Sequence, residues 1–196
     1  MALIGNDIIS LKSPENQNSH NNERYLRKVF SEREIQYMHS EVIPNLSYML
    51  WTCKEAAYKI SLKQGIMNGF SPRLFQVELV QEHACGLKLI TRYLNKQYYT
   101  NTYICPDFVQ SIASDRKDAL DRVRSHMISD YEYPQVSSDD LIAEYIEKDF
   151  GISRRYIQVS RIFLNIPHVT LNEAFGAFDV SISHDNNKTG LAILKV

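Results

Sequence analysis

The sequence predicts an α+β domain in which an antiparallel sheet packs against one long helix. Three observations predict it. The chain opens on a strand-like run, ALIGNDIISL (2–11), whose alternating faces are both mostly apolar. A helical pattern without Gly or a further Pro follows Pro44 and runs out at Gly65. Short strand patterns recur towards the C-terminus, which closes on DVSISH (179–184), the turn DNNK and TGLAILKV, a hairpin. At 196 residues the chain can bury a core of fair size, so it reads as a single domain over 1–196. Residues from about 85 to 150 read as a helical block inserted into it.

The elements follow in order. KSPENQNSHNN (12–22) is polar and reads as an exposed loop. ERYLRKVF starts a short helix with Asn22 as its N-cap, and Ser31 with Glu34 has capping-box spacing for a second, EREIQYMHS. The long helix has Gly65 just past its end. FQVELV (75–80), GLKLITRY (86–93) and NTYIC (101–105) read as strands. SDRKDALDRVRSHMI (114–128) has helical periodicity, and DYEYPQVSS is a linker. SDDLIAEYIEKDFG (138–151) is a helix with Ser138 as its cap and Gly151 past its end. RYIQVSRIFL, a turn at NIP and HVTL return to strands, and NEAFGAF makes one or two helical turns. No internal repeat is visible.

Composition excludes several function classes. Lys and Arg number 22 against 23 Asp and Glu, so no global basic field points to nucleic acid. No apolar run approaches the ~20 residues of a membrane span, and MALIGNDIISL lacks the basic and small-residue signature of a signal peptide. Three cysteines at wide spacing fit neither a zinc site nor a disulfide framework. Reduced thiols in a cytoplasmic protein are the expectation.

The chemistry centres on LWTCKEAAYKIS (50–61). On a helical wheel Leu50, Cys53, Ala56, Ala57 and Ile60 fill one apolar arc, and Trp51, Tyr58 and Leu62 a second. Glu55 and Lys59 share the narrow strip that remains. They are either an ordinary i,i+4 ion pair or functional groups. Asp7 stands in a strand among Leu3, Ile4, Ile8 and Ile9, where it either caps a turn or meets a cation. Two carboxylates from separate elements are hard oxygen ligands suited to Mg²⁺. His184 ends a strand at a tight turn, as a packing residue or as a donor to phosphate or ribose. Cys53 reads as core.

The order of the pieces carries a resemblance. G-x-D (Gly5 to Asp7), F-x-x-x-E (Phe30, Glu34), W-x-x-K-E-A-x-x-K (Trp51 to Lys59), a proline turn (Ile166 to Val169) and S-x-S-H (Ser181 to His184) succeed one another. The sequence resembles the 4′-phosphopantetheinyl transferases over about residues 2–75 and 152–196. The resemblance implies that family's fold. It also implies transfer of the phosphopantetheine arm of coenzyme A to a serine of an apo acyl carrier protein, as the holo-acyl-carrier-protein synthases do for fatty acid synthesis. Carried over, Asp7 and Glu55 hold Mg²⁺ and Glu55 accepts the serine proton. Lys54, Lys59 and His184 face the coenzyme A phosphates, and Ser183 helps at the nucleotide. Asp7, Glu55 and Lys59 form the catalytic set. Ile9 stands where the two-lobed members have a third acidic ligand, and the first glycine after Lys59 is Gly65. The alternative is a coenzyme A or carrier-binding module without catalysis. One copy of each motif, in the order of the short members, implies a homotrimer whose sites lie between subunits; the alternative is a self-sufficient monomer in which the inserted block covers the open sheet face.

Overall fold

The computed structural model describes residues 1–14, 16, 22–40, 43–66, 69–83, 85–129, 136–171 and 177–196. β1 (Ile4–Ser10) is followed by α1 (Glu23–Val29), α2 (Glu32–Ser40) and the long α3 (Leu46–Lys63). Four strands succeed them: β2 (Gln76–His83), β3 (Gly86–Tyr93), β4 (Lys96–Ile104) and β5 (Phe108–Ser114). Then come β6 (Arg124–Ser129), α4 (Ser138–Phe150), β7 (Ile157–Ile162), β8 (Ile166–Leu171), β9 (Phe178–Asp185) and β10 (Lys188–Lys195). The α+β class therefore holds, with α3 packed on an antiparallel sheet.

The local signals explain the helices. Asn22 caps α1 through the N–H groups of Arg24 and Tyr25. Ser31 and Glu34 form a reciprocal capping box, Ser31 N–H to Glu34 Oε2 at 2.7 Å and Glu34 N–H to Ser31 Oγ at 3.3 Å. Gly65 and Gly151 take the left-handed φ of 68° and 69° that lets α3 and α4 stop. The cap of α4 is Ser137, one residue earlier than expected.

There are two antiparallel sheets rather than one. Their orders are β1-β5-β4-β3-β2 and β6-β10-β9-β8-β7. Each half of the chain thus runs strand, helix, four strands, with α1 and α2 added before the long helix in the first, and each pairs its first strand with its last. The sequence hides this repeat because the fold constrains which positions are buried, not which residues fill them. The helices even differ in length, 18 residues in α3 and 13 in α4.

The expected helix over 114–128 is corrected. Lys117–Arg122 is a 3₁₀ turn, and Arg124–Ser129 is β6, paired with β10. Ile128 is buried in the second core, and that packing outweighs local helical periodicity. Residues 85–150, read as an inserted block, supply β3, β4 and β5 to the first sheet and β6 to the second. The expected helical turns of NEAFGAF fall mostly on 172–176, and the expected linker mostly on 130–135, outside the described residues. No helix of the described residues is long and apolar enough to cross a membrane.

The halves meet through a small apolar cluster that includes Ala2, Ile4 and Ile112 from one and Ala192 and Leu194 from the other. Asn6 sits beside it, fully buried. Its Nδ2 donates to Ser183 Oγ at 2.9 Å and to the Gly190 carbonyl at 2.7 Å, and its Oδ1 accepts from Gln110 Nε2 at 2.9 Å. On the opposite face of β1, α3 comes so close that a Cβ on Gly5 would lie 1.9 Å from the Ala56 carbonyl oxygen. Only glycine admits that approach. Gly5→Ala should therefore destabilise the fold by about 3 kcal/mol or more, the upper range for overpacking, read as a lowered urea midpoint. An unchanged midpoint would contradict the close packing of β1 on α3.

Candidate active site

Gly5 fixes how α3 lies on β1, and that sets the position of the next residue on the same face, Asp7. Lys59 reaches down from α3, and its Nζ donates to Asp7 Oδ1 at 3.0 Å and to the Asn6 carbonyl at 2.7 Å. Glu55 lies one helical turn earlier on the same strip. The pair that looked like an ordinary helix-surface contact is therefore split: Lys59 bonds to the strand, and Glu55 has no ion-pair partner among the described residues.

The electrostatics follow from that split. Burial pushes the Glu55 carboxyl up to about 7, and the negative charge of Asp7 adds to the push against the pull of Lys59. Asp7 is also raised, by burial first, although Lys59 and the Ile8 N–H work against it. Two desolvated carboxylates thus lie near one ammonium, which bonds only to Asp7 of the two. A hard divalent cation with water and phosphate oxygens would fit this donor set. Among the described residues no group of three His, Cys, Asp or Glu forms a complete metal cage. The charge of Asp185, from β9, also reaches Asp7.

Glu55 and Lys59 line one wall of a cleft of about 650 Å³. The other wall comes from the second half: Ser138 and Asp139 of α4, Arg161 of β7, the turn through Asn165 and Pro167, and Val180 to His184 of β9. Among the described residues β8 pairs with β9 only at Val169 and Phe178, beside the cleft, whereas β3 and β4 pair from Gly86 to Tyr93. Ser183 and His184 both face it. His184 Nδ1 is 2.7 Å from Thr189 Oγ1, and its Nε2 is 3.1 Å from Ser138 Oγ. Asp7 stands behind Lys59, with its side chain 13 % exposed.

Lys54 is not in the cleft, which corrects its expected place at a phosphate. Its side chain is fully buried and its ammonium donates to Glu34 Oε2 at 2.9 Å, to the Pro72 carbonyl at 3.0 Å and to the Phe75 carbonyl. Three acceptors exhaust its three donors. One residue before Glu55 is about 100° around the helix, which turns it to the core. Cys53 is core as expected, its thiol pushed up to about 11 by burial.

Sequence reasoning missed several residues. Lys63, one turn after Lys59, donates to Asp179 at 2.9 Å and to the carbonyls of Ile4 and Val180. The i+4 spacing from Lys59 was a usable signal for it. Asp139 and Arg161 carried none, because only the fold brings them to the cleft; Ser138 had a signal only as a helix cap, and Asp179 none as the buried partner of Lys63.

Two outcomes test these assignments. Lys54→Ala strands Glu34 as a buried lone charge and should cost about 3–5 kcal/mol of stability in chemical denaturation; a loss under about 1 kcal/mol, the level of an exposed pair, would refute the buried role. Glu55 gives a pH signature. Between its ordinary value of 4.5 and about 7 the folded chain keeps a proton that the unfolded chain releases, so stability falls as pH rises across that window. Glu55→Gln removes this loss. In metal-free buffer the variant should gain on wild type by up to about 3 kcal/mol as pH rises through the window. A pH-independent difference would rule out the raised carboxyl.

A family model described as the 4′-phosphopantetheinyl transferase superfamily matches residues 3–139. The match contains Asp7, Glu55 and Lys59 and stops before Ser183 and His184. No curated protein matched the chain in a sequence search. Since that model covers well over half of the 196 residues, the chain belongs to the 4′-phosphopantetheinyl transferase superfamily.

Proposed function

We propose that the protein moves the 4′-phosphopantetheine arm of coenzyme A onto a serine hydroxyl of an apo acyl carrier protein, releasing adenosine 3′,5′-bisphosphate. The observation that carries this reading is the placement of two carboxylates near one ammonium: Lys59 donates to Asp7, and Glu55 lines the cleft one turn away without an ion-pair partner among the described residues. A binding module without catalysis has no use for such a costly arrangement.

In the proposed reaction the serine Oγ forms a bond to the β-phosphorus of coenzyme A, and the bond from that phosphorus to the bridging diphosphate oxygen breaks. Glu55, ionised, takes the serine proton directly or through a water. Its raised affinity for a proton suits that work near neutrality. Lys59 holds diphosphate oxygens and offsets their charge, while His184 and Ser183 hold the nucleotide end from the opposite wall. Asp7 and Glu55 would hold Mg²⁺, which when bound supplies charge neutralisation at the diphosphate. Glu55 and Lys59 line the same cleft of one chain as Ser183 and His184, which supports a self-sufficient monomer over the expected homotrimer. We propose that a monomer is sufficient. Three cysteines at a spacing that fits no disulfide framework support a cytoplasmic setting.

The test incubates the protein with coenzyme A, Mg²⁺ and an apo acyl carrier protein, and weighs the carrier by mass spectrometry. The concentration is chosen so that sedimentation gives a single-chain mass. Wild type should convert the carrier, and Asp7→Ala and Glu55→Gln should each lose about 100-fold or more in turnover, the scale of a lost acid–base group. An unmodified carrier, or near-normal turnover of either variant at saturating Mg²⁺, would overturn the reading.

A further inference from the structure

Among the described residues the Lys and Arg side chains that border the cleft are Lys59, Lys63 and Arg161, and each is already paired with a carboxylate of this chain. The pairs differ in how easily they open. Lys63 and Asp179 are 7 % and 9 % exposed, so separating them strands buried charge. Lys59 and Asp7 are 26 % and 13 % exposed, and Asp7 is the buried partner. Arg161 and Asp139 are 25 % and 41 % exposed, so the acid is the partner that water already reaches.

Their geometry points the same way. Arg161 Nε and Nη2 both donate to one oxygen, Asp139 Oδ1, at 2.8 and 2.5 Å. A guanidinium fork is better met by two oxygens, which a phosphate offers. Asp139 does not depend on Arg161 for compensation: it lies in the first turn of α4, where the helix N-terminus favours a negative charge.

We infer that Arg161 is the exchangeable cation of the cleft and Asp139 its latch. A ligand phosphate takes Arg161 from Asp139, and Asp139 thereby sets the affinity for that phosphate. On the proposed reading, on which this inference rests, the reacting diphosphate lies at Glu55 and Lys59. Arg161 is on the opposite wall with Ser138 and His184, so the phosphate it receives is the 3′-phosphate of coenzyme A. Asp139 is a specificity-setting residue that acts through Arg161.

Calorimetry with coenzyme A and with coenzyme A lacking its 3′-phosphate tests this on wild type, Asp139→Asn, Arg161→Gln and the double variant, all with Mg²⁺. Asp139→Asn should tighten coenzyme A by about two- to fivefold, the scale of releasing one exposed ion pair, and leave the 3′-dephospho donor unchanged. Binding of that donor also verifies that each variant is folded. Arg161→Gln should weaken coenzyme A and abolish the effect of Asp139→Asn, a coupling that independent sites do not show. Equal tightening of both donors, or an Asp139→Asn effect that persists without Arg161, overturns the latch while leaving the proposed donor intact. Failure of wild type to bind either donor sinks the donor reading and this inference with it.

Discussion

The open edge of β1 is the constraint on which the rest of the structure depends. β1 is an edge strand, paired only with β5, and its other row of N–H groups is buried between the halves. Those donors need acceptors. The Ile4 N–H donates to Asp179 Oδ2 at 2.6 Å, the Asn6 N–H to Ser181 Oγ at 2.9 Å and the Ser10 N–H to Asp185 Oδ2 at 2.6 Å. Alternate side chains of β9 thus stand in for a missing strand. They satisfy the edge, join the halves and bring β9 against the strand that carries Asp7.

This changes the meaning of S-x-S-H. Ser181 spends its oxygen on β1, and Ser183 accepts from Asn6, so both serines belong to the seam between the halves. Ser183 faces the cleft as well, and His184 completes that strand's contribution. The Lys63–Asp179 pair closes the seam at one end, and Asp185 with Ser10 closes it at the other. A motif associated with ligand binding is also the fastener of the fold, since the ligand site exists only where the seam holds.

The repeated topology explains why one cleft forms instead of two. Both halves tie their first strand to their helix by a contact between a carboxylate and a nitrogen base, Asp7 with Lys59 and His126 with Asp149. In the first half β3 and β4 are laddered along their length, which leaves no gap beside β4. In the second, one β8–β9 pair is found among the described residues, and the far wall of the site is formed beside it by α4, β7 and β9.

By itself the sequence determined the elements whose signals are local. The capping box at Ser31 and Glu34, the glycine stops at Gly65 and Gly151, the buried first strand and the closing hairpin all follow from neighbours in the chain. It also determined that Asp7, Glu55 and Lys59 were worth pairing, because charge on otherwise apolar elements is costly without a partner. Only the tertiary structure decided where the remaining charges go. Lys54 and Lys59 flank Glu55 on one helix, yet one is sealed on Glu34 and the other reaches Asp7. Arg161 and Asp139 are distant in sequence and meet at the cleft. The run at 114–128 has the periodicity of a helix and becomes a strand because β10 offers it an edge. Local rules act over one helical turn or one strand pair, whereas burial and ion pairing are settled by whatever the fold brings within a few ångströms.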